Sequence, residues 1–301
     1  MGTMEQLTLQ LRETAREILE SKKAAAVIGW EMGTFWYSTA PAILTRPEET
    51  ERLVWNEYCL NNLAKYLLDF QNTDEKVAIF ARGCDYRGIN RLIQDKQIDR
   101  DKVLIIGLSC PGMKDDKKAR ELGQNADIPL AKKCEECTYP DALAYDLWVG
   151  EPKEAAKPAK AEAKVFPEVE SLEQMTADDK YENFAANYEK CLRCYACRNV
   201  CPACSCRECI FGNSSKEWSA KANNLSENMF FALTRALHVA GRCIQCGECE
   251  RICPVNIPIM LLNKKIIQDI DHLFGPYDAG LDPEDKMPLG SFEFTDPEEF
   301  M

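Results

Sequence analysis

Two copies of one cysteine spacing, C-x2-C-x2-C-x3-C-P, constrain this chain more than any other feature. Cys191, Cys194, Cys197 and Cys201-Pro202 form the first copy; Cys243, Cys246, Cys249 and Cys253-Pro254 form the second. Three cysteines in step can hold three irons of a cubane, and the fourth iron takes its thiolate from the partner copy. The spacing therefore predicts one [4Fe–4S] centre on Cys191, Cys194, Cys197 and Cys253, and another on Cys243, Cys246, Cys249 and Cys201. Structural zinc asks instead for well-separated C-x2-C pairs that close a tetrahedron. Two full copies with a third cysteine in step speak against it.

The chain holds 16 cysteines in 301 residues. The N-terminal stretch MGTMEQLTLQLRETAREILESKK is an amphipathic helix pattern without the apolar core of a signal peptide. No run of eighteen apolar residues occurs, so no membrane span is expected. These readings place the chain in the cytoplasm, where thiols stay reduced and many cysteines mean metal or redox chemistry rather than disulfides. The net charge of −12 argues against nucleic acid, which is bound by clustered Lys and Arg.

Organisation follows composition. The stretch 151–170, EPKEAAKPAKAEAKVFPEVE, has no apolar period and reads as a linker. The expected arrangement is an α/β domain over 1–150, a linker over 151–175, a mostly α-helical domain over 176–274 and an acidic tail over 275–301. In the first domain, AAAVIGW (24–30), VAIFA (77–81) and VLIIGL (103–108) read as strands of a small parallel sheet. GINRLIQDKQ supplies a crossover helix, and Pro47 opens a long helix running to about Phe70. In the second domain, Ser226 caps a helix with Met229, Phe230, Leu233, Leu237 and Ala240 on its apolar face. Another helix follows Pro258. The tail carries eight acidic residues against one lysine, with Phe292, Phe294 and Phe300 exposed; it reads as disorder or as a docking peptide.

The forty-one residues between Cys201 and Cys243 are too many for a small two-hairpin ferredoxin. Residues 190–270, including LTRALHVAGRCIQCGECERICPVNIPI, resemble the α-helical two-cluster ferredoxin domain of fumarate reductases, heterodisulfide reductases and cytosolic hydrogenase complexes. His238, five residues before a motif, is expected to pack or to sit behind the ligands rather than to bind iron, since eight thiolates are already present. Arg242 and Arg251 are expected either to donate toward cluster sulfur or to be solvated.

Cys84 ends VAIFARGC and Cys110 ends VLIIGLSC, so both fall just beyond the carboxyl ends of neighbouring parallel strands. Cys134 and Cys137 lie on a following loop. Four converging thiolates suit a third [4Fe–4S] centre, and the count also suits zinc. The segments KVAIFARGCDYRGINRLI, VLIIGLSCPG and CEECTYPDALAYDLWVG resemble the beta subunit of deazaflavin-coenzyme-reducing hydrogenases and of formate dehydrogenases. That resemblance implies Cys84, Cys110, Cys134 and Cys137 as cluster ligands and FAD as a further cofactor. Residues 24–75, however, hold only Gly29 and Gly33 and no G-x-G-x-x-G or P-loop, so flavin rests on the resemblance alone.

Cys59, Cys204, Cys206 and Cys209 are left over. Core packing, thiol exchange and a further metal site on CPACSCREC would each account for them. The expected function is an iron–sulfur electron-transfer subunit of a cytosolic anaerobic oxidoreductase complex of the hydrogenase, formate dehydrogenase or heterodisulfide reductase kind, with electron bifurcation among its roles. Its partners would be other redox subunits, including a flavin-containing heterodisulfide reductase-like subunit. The alternatives are a flavin-containing dehydrogenase subunit acting on a soluble carrier, and a zinc-stabilised scaffold.

Overall fold

The computed structural model describes residues 3–151, 161–212, 222–290, 292 and 294. It divides into two compact units, Met1–Pro158 with Gly280–Pro283, and Ala159–Ala279 with Glu284–Met301.

The first unit is α/β. Helix α1 (Met4–Glu20) starts at Thr3, whose hydroxyl accepts from the Gln6 amide at 3.2 Å while the Gln6 side chain accepts from the Thr3 amide at 2.8 Å. Its Leu11, Ala15 and Ile18 are buried against the sheet core. The strands are β1 (Ala26–Met32), β2 (Thr39–Leu44), β3 (Val77–Ala81), β4 (Val103–Leu108) and β5 (Leu147–Val149), in the order β2-β1-β3-β4-β5. The β1–β3, β3–β4 and β4–β5 pairings are parallel, and only β2 runs antiparallel, at the edge. The sheet is thus mixed rather than purely parallel. Pro41 lies within β2, and an edge strand tolerates a residue that cannot donate to the ladder. Helix α2 (Gly83–Gln94) connects β3 to β4, as a parallel pair requires. Two short helices follow, α3 (Asp116–Leu122) and α4 (Lys132–Glu135).

One helix expected over 47–70 does not form. Two 3-10 segments, Pro47–Arg52 and Ala64–Phe70, flank an irregular stretch whose Leu53, Trp55, Cys59, Leu60 and Leu63 are all buried. The reason lies in its carbonyls, which a helix would have consumed internally. The Cys59 carbonyl accepts from Arg82, and the Asn61 carbonyl accepts from Arg82 at 2.8 Å and from the Trp30 indole at 3.0 Å. Arg82 is 2% exposed, lies over the Trp30 ring at 4.7 Å, and pairs with Asp85 at 2.7 Å. Asp85 also accepts from the Leu63 amide at 2.7 Å. This buried pair organises the whole irregular segment.

The second unit is helical: α5 (Pro167–Glu173), α6 (Ala177–Tyr188), α7 (Ala196–Asn199), α8 (Leu225–His238), α9 (Glu248–Arg251) and α10 (Ile259–Phe274). The expected linker is therefore shorter than 151–175. Residues 152–160 lie outside the described residues, but 161–175 fold onto α10: the Lys164 amide donates to Asp271 at 3.0 Å, Val169 is buried, and Lys264 pairs with Glu168. Helix α8 begins one residue before Ser226, with Asn224 as the cap, its side chain accepting from the Glu227 amide at 3.0 Å.

The expected tail is likewise not one piece. Gly280–Pro283 belongs to the first unit, where α2 holds it: the Tyr86 hydroxyl donates to the Leu281 carbonyl at 3.2 Å, Asn90 to Gly280 at 3.0 Å, and Gln94 to Asp282 at 3.0 Å. Gly280 has φ +78°, and a β-carbon there would sit 2.3 Å from the Arg87 carbonyl oxygen, so no other residue fits. Phe292 and Phe294 are exposed, and Phe300 lies outside the described residues.

Asp85→Asn leaves the Arg82 guanidinium buried without its counter-charge. Unfolding titrations are expected to show a loss of about 3–5 kcal/mol; a loss below about 1 kcal/mol would mean that the pair behaves like a surface ion pair.

Candidate iron–sulfur centres

The two motifs of the second unit fold alike. In the first, Arg193 (φ 52°) and Tyr195 (φ 59°) flank Cys194 in the left-handed conformation; in the second, Gln245 (φ 57°) and Gly247 (φ 66°) flank Cys246. Three of these four are not glycine, a strain of roughly 1–3 kcal/mol each that a chain keeps only where the surroundings impose it. A short helix follows each loop, α7 after the first and α9 after the second. The final cysteine of each copy then accepts into a turn, Cys204 amide to Cys201 carbonyl at 3.0 Å and Asn256 amide to Cys253 carbonyl at 3.3 Å. One sequence spacing yields one backbone path, twice.

The final cysteine of each copy lies near cysteines of the other copy. Cys191, Cys194, Cys197 and Cys253 line one cleft whose other walls include Tyr188, Phe231, Ala232 and Ile257. The thiols also sense one another electrostatically: Cys197 feels Cys191, Cys253 and Cys194. In the second group Cys246 feels Cys201 and Cys249, and Cys249 feels Cys201 and Cys243. Cys249 additionally feels Cys197, so the two groups adjoin. Among the described residues no three of these side chains close on a single point in the way a lone metal ion would require. Amide donors reach the sulfurs: Arg193 to Cys191 at 3.4 Å, Ile257 to Cys253 at 3.4 Å, and the Asn263 side chain to Cys243 at 3.6 Å.

Burial pushes the Cys197 thiol up to about 11 and that of Cys249 up to about 12. These two thiols are therefore protonated at neutral pH, and a metal that took them as ligands would have to displace their protons.

Helix α8 supplies the wall behind both groups, but not with the face that its apolar period indicates. Phe230, Leu233 and Leu237 are exposed, Leu237 by 64%. The buried stripe is Asn228, Phe231, Ala232, Arg235 and Ala236. The physical reason is hydrogen bonding: Asn228 donates to the carbonyls of Tyr188 at 3.2 Å and Cys191 at 3.1 Å, and Arg235 donates to that of Cys197 at 3.2 Å. Cysteine loops have little regular backbone pairing, and a neighbouring helix with polar side chains satisfies them. His238 is exposed at the end of α8, Arg242 donates to the His238 carbonyl, and Arg251 pairs with Glu248 at 2.9 Å. Reading the helix by its hydrophobic stripe missed Arg235. The available signal was its place in an Asn228–Ala232–Arg235 row of small and polar residues on one face.

In the first unit, Cys84 lies in the first turn of α2 beyond β3, and Cys110 beyond β4. Cys84 feels Cys110, Cys110 feels Cys134, and Cys137 feels Cys134. The loop carrying the last two reaches this strand end because Gly83 has no side chain. Its amide donates to the Pro140 carbonyl at 2.9 Å, and a β-carbon there would meet the Tyr139 oxygen at 1.9 Å. Asp141 fixes the other strand end, accepting from Ser109 at 2.9 Å and from the Cys110 amide at 3.1 Å. Arg82 stands beside Cys84 and Cys110.

Of the four leftover cysteines, Cys59 is a core residue, fully buried, its thiol pushed up to about 12 by burial. Cys204 is half-buried beside Arg235, Cys206 is exposed, and Cys209 is half-buried.

With this geometry in view, residues 187–257 match the family described as "4Fe-4S dicluster domain". Over most of its length the chain is similar to two subunits of known proteins. It is 22% identical to the F420-dependent formate dehydrogenase subunit beta of Methanocaldococcus jannaschii over 348 aligned positions, covering 88% of this chain and 89% of that one. It is 23% identical to the F420-dependent formate dehydrogenase 1 subunit beta of Methanococcus maripaludis, covering 91% and 90%. A shorter likeness, 28% over 124 residues, joins 41% of it to 26% of the cobalamin reductase PduS of Citrobacter freundii. Among the described residues no helix is long and apolar enough to cross a membrane.

Two outcomes follow from the site. Cys253→Ser is expected to lower iron by about four per chain and to spare the centre that draws on Cys243, Cys246 and Cys249; loss of the latter centre instead would show that each motif uses its own last cysteine. In the empty protein at pH 8, iodoacetamide is expected to label Cys206 and to leave Cys59 untouched, because a thiol raised to about 12 holds almost no thiolate there. Peptide mapping by mass spectrometry reads both.

Proposed function

We propose that the chain is an iron–sulfur electron-transfer subunit of a cytoplasmic, anaerobic oxidoreductase complex of the formate dehydrogenase kind. The observation that carries this reading is the cleft lined by three cysteines of one motif and the last cysteine of the other. The donor set fits a cubane: thiols alone, mostly half-buried or buried, spread around a cavity, with amide donors at sulfur distance. The charge balance also fits. Arg235 is 5% exposed, forms no ion pair with a carboxylate among the described residues, and its Nε has no hydrogen-bond partner there. A buried cation of this kind calls for an anionic neighbour.

In this reading Cys191, Cys194, Cys197 and Cys253 hold one [4Fe–4S] centre and Cys243, Cys246, Cys249 and Cys201 a second. Cys84, Cys110, Cys134 and Cys137 hold a third at the strand ends of the first unit. The centres supply one-electron storage when bound. What the chain supplies is a dry wall, sulfur hydrogen bonds and two groups of thiols that adjoin through Cys197 and Cys249, so that successive electrons need no mobile carrier between them. The first unit is the side from which electrons of a two-electron carrier would enter or leave, as the names of the formate dehydrogenase relatives suggest. Hydrogenase-like or heterodisulfide reductase-like subunits would be the partners at the other end, with bifurcation as an extension of the same wiring.

Iron, acid-labile sulfide, zinc and flavin measured on chain purified without oxygen test this reading. About twelve irons and twelve sulfides are expected. About sixteen would bring Cys204, Cys206 and Cys209 into a fourth centre. Eight irons with one zinc would confine electron transfer to the second unit. Stoichiometric flavin would extend the role to carrier oxidation within the first unit, and zinc alone would overturn the reading.

A further inference from the structure

Each group of thiols has a buried arginine beside it, but the two arginines are in opposite electrostatic situations. Arg82, near Cys84 and Cys110, is neutralised by Asp85 at 2.7 Å. Among the described residues Arg235 has no such partner. It lines the cleft of Cys191, Cys194, Cys197 and Cys253, and its guanidinium lies within electrostatic reach of Cys197 of the first group, of Cys201 and Cys249 of the second, and of Cys204. One hydrogen bond, to the Cys197 carbonyl at 3.2 Å, fixes it, and Nε is left over. Its packing neighbours Ala232 and Ala236 are small and apolar, so nothing on its own helix offsets the charge.

We propose that Arg235 is a positioning charge shared by both cubane sites of the second unit, raising the reduction potential of each. This rests on the reading above that the eight motif cysteines hold two cubanes. A cubane with four thiolate ligands carries net negative charge, and taking up one electron makes it more negative by one. A fixed cation in a buried, weakly screened place favours the reduced form of whichever centre receives the electron. Because the same guanidinium lies within electrostatic reach of sulfurs of both groups, it acts on both potentials together. It also lessens the repulsion between two adjoining anions. Had the arginine carried a carboxylate partner, as Arg82 does, the field at the sulfurs would largely cancel.

The test is a potentiometric titration of the full chain carrying its clusters, followed by electron paramagnetic resonance, for the wild type, Arg235→Gln and Arg235→Lys, with iron and sulfide counted in each. Arg235→Gln, with both centres assembled, is expected to shift both midpoint potentials downward, and Arg235→Lys to recover most of the shift by restoring the charge without the fork. Unmoved potentials in Arg235→Gln, or a shift of one centre alone, would overturn the shared role. A Lys variant displaced as far as the Gln variant would also overturn it, since geometry rather than charge would then be at work. Should Arg235→Gln fail to keep iron, Arg235→Lys decides: retained centres with midpoints near the wild type support the proposal, and iron loss there too assigns the residue to packing. A wild-type chain that assembles no cubane in the second unit removes the underlying reading, and the proposal with it, and the iron and sulfide count shows this before any potential is measured.

Discussion

The approach of each motif's last cysteine to the other motif ties the second unit together. Cys253 lines one cleft with Cys191, Cys194 and Cys197, and Cys201 lies near Cys246 and Cys249, so each loop meets the last cysteine of the other. The chain between them must leave and return, and α8 fills that path. Its buried face has to satisfy carbonyls of the first loop, which is why it presents Asn228 and Arg235 inward. Helix α10 follows directly after the second loop, and its Asn263 and Met260 reach Cys243 and Cys249, at 3.6 and 3.7 Å.

Burying many thiols in one place has an electrostatic consequence. Desolvation raises Cys197 and Cys249, and neighbouring thiols raise them further, so both are neutral at neutral pH. A cofactor with positive metal centres would let such thiolates form, and the proposed cubane on four thiolates would still be an anion within a largely apolar wall. A buried arginine near each group is the fold's response. In the first unit it is held by Asp85 and spent on shaping the segment 53–63; in the second it lies near the sulfurs with no carboxylate partner among the described residues.

The first unit brings its four cysteines together by different means. Parallel strands β3 and β4 end side by side, which sets Cys84 beside Cys110. The rest depends on Gly83, because only a residue without a β-carbon lets the 137–141 loop close onto the start of α2. The same helix binds Gly280–Pro283 with Tyr86, Asn90 and Gln94, so residues at the far end of the chain complete its exposed face.

The sequence by itself determined the three core strands, the crossover helix and the two cysteine motifs, because apolar periodicity and metal-ligand spacing are local properties. Tertiary structure decided the remainder. The run 47–70 has a helical apolar stripe, yet its carbonyls are claimed by Arg82 and Trp30 from distant elements, and no local pattern records that demand. The apolar stripe of α8 faces outward for a related reason: burial there follows hydrogen-bond need at the cysteine loops rather than hydrophobicity. The tail 275–301 looks structureless by composition, but Gly280–Pro283 gains its order from side chains about 190 residues earlier. Arg235 is the sharpest case, since a charged residue in an amphipathic helix is ordinarily solvated, and only the packed structure brings its charge near Cys197, Cys201, Cys204 and Cys249, which lie before and after it in the chain.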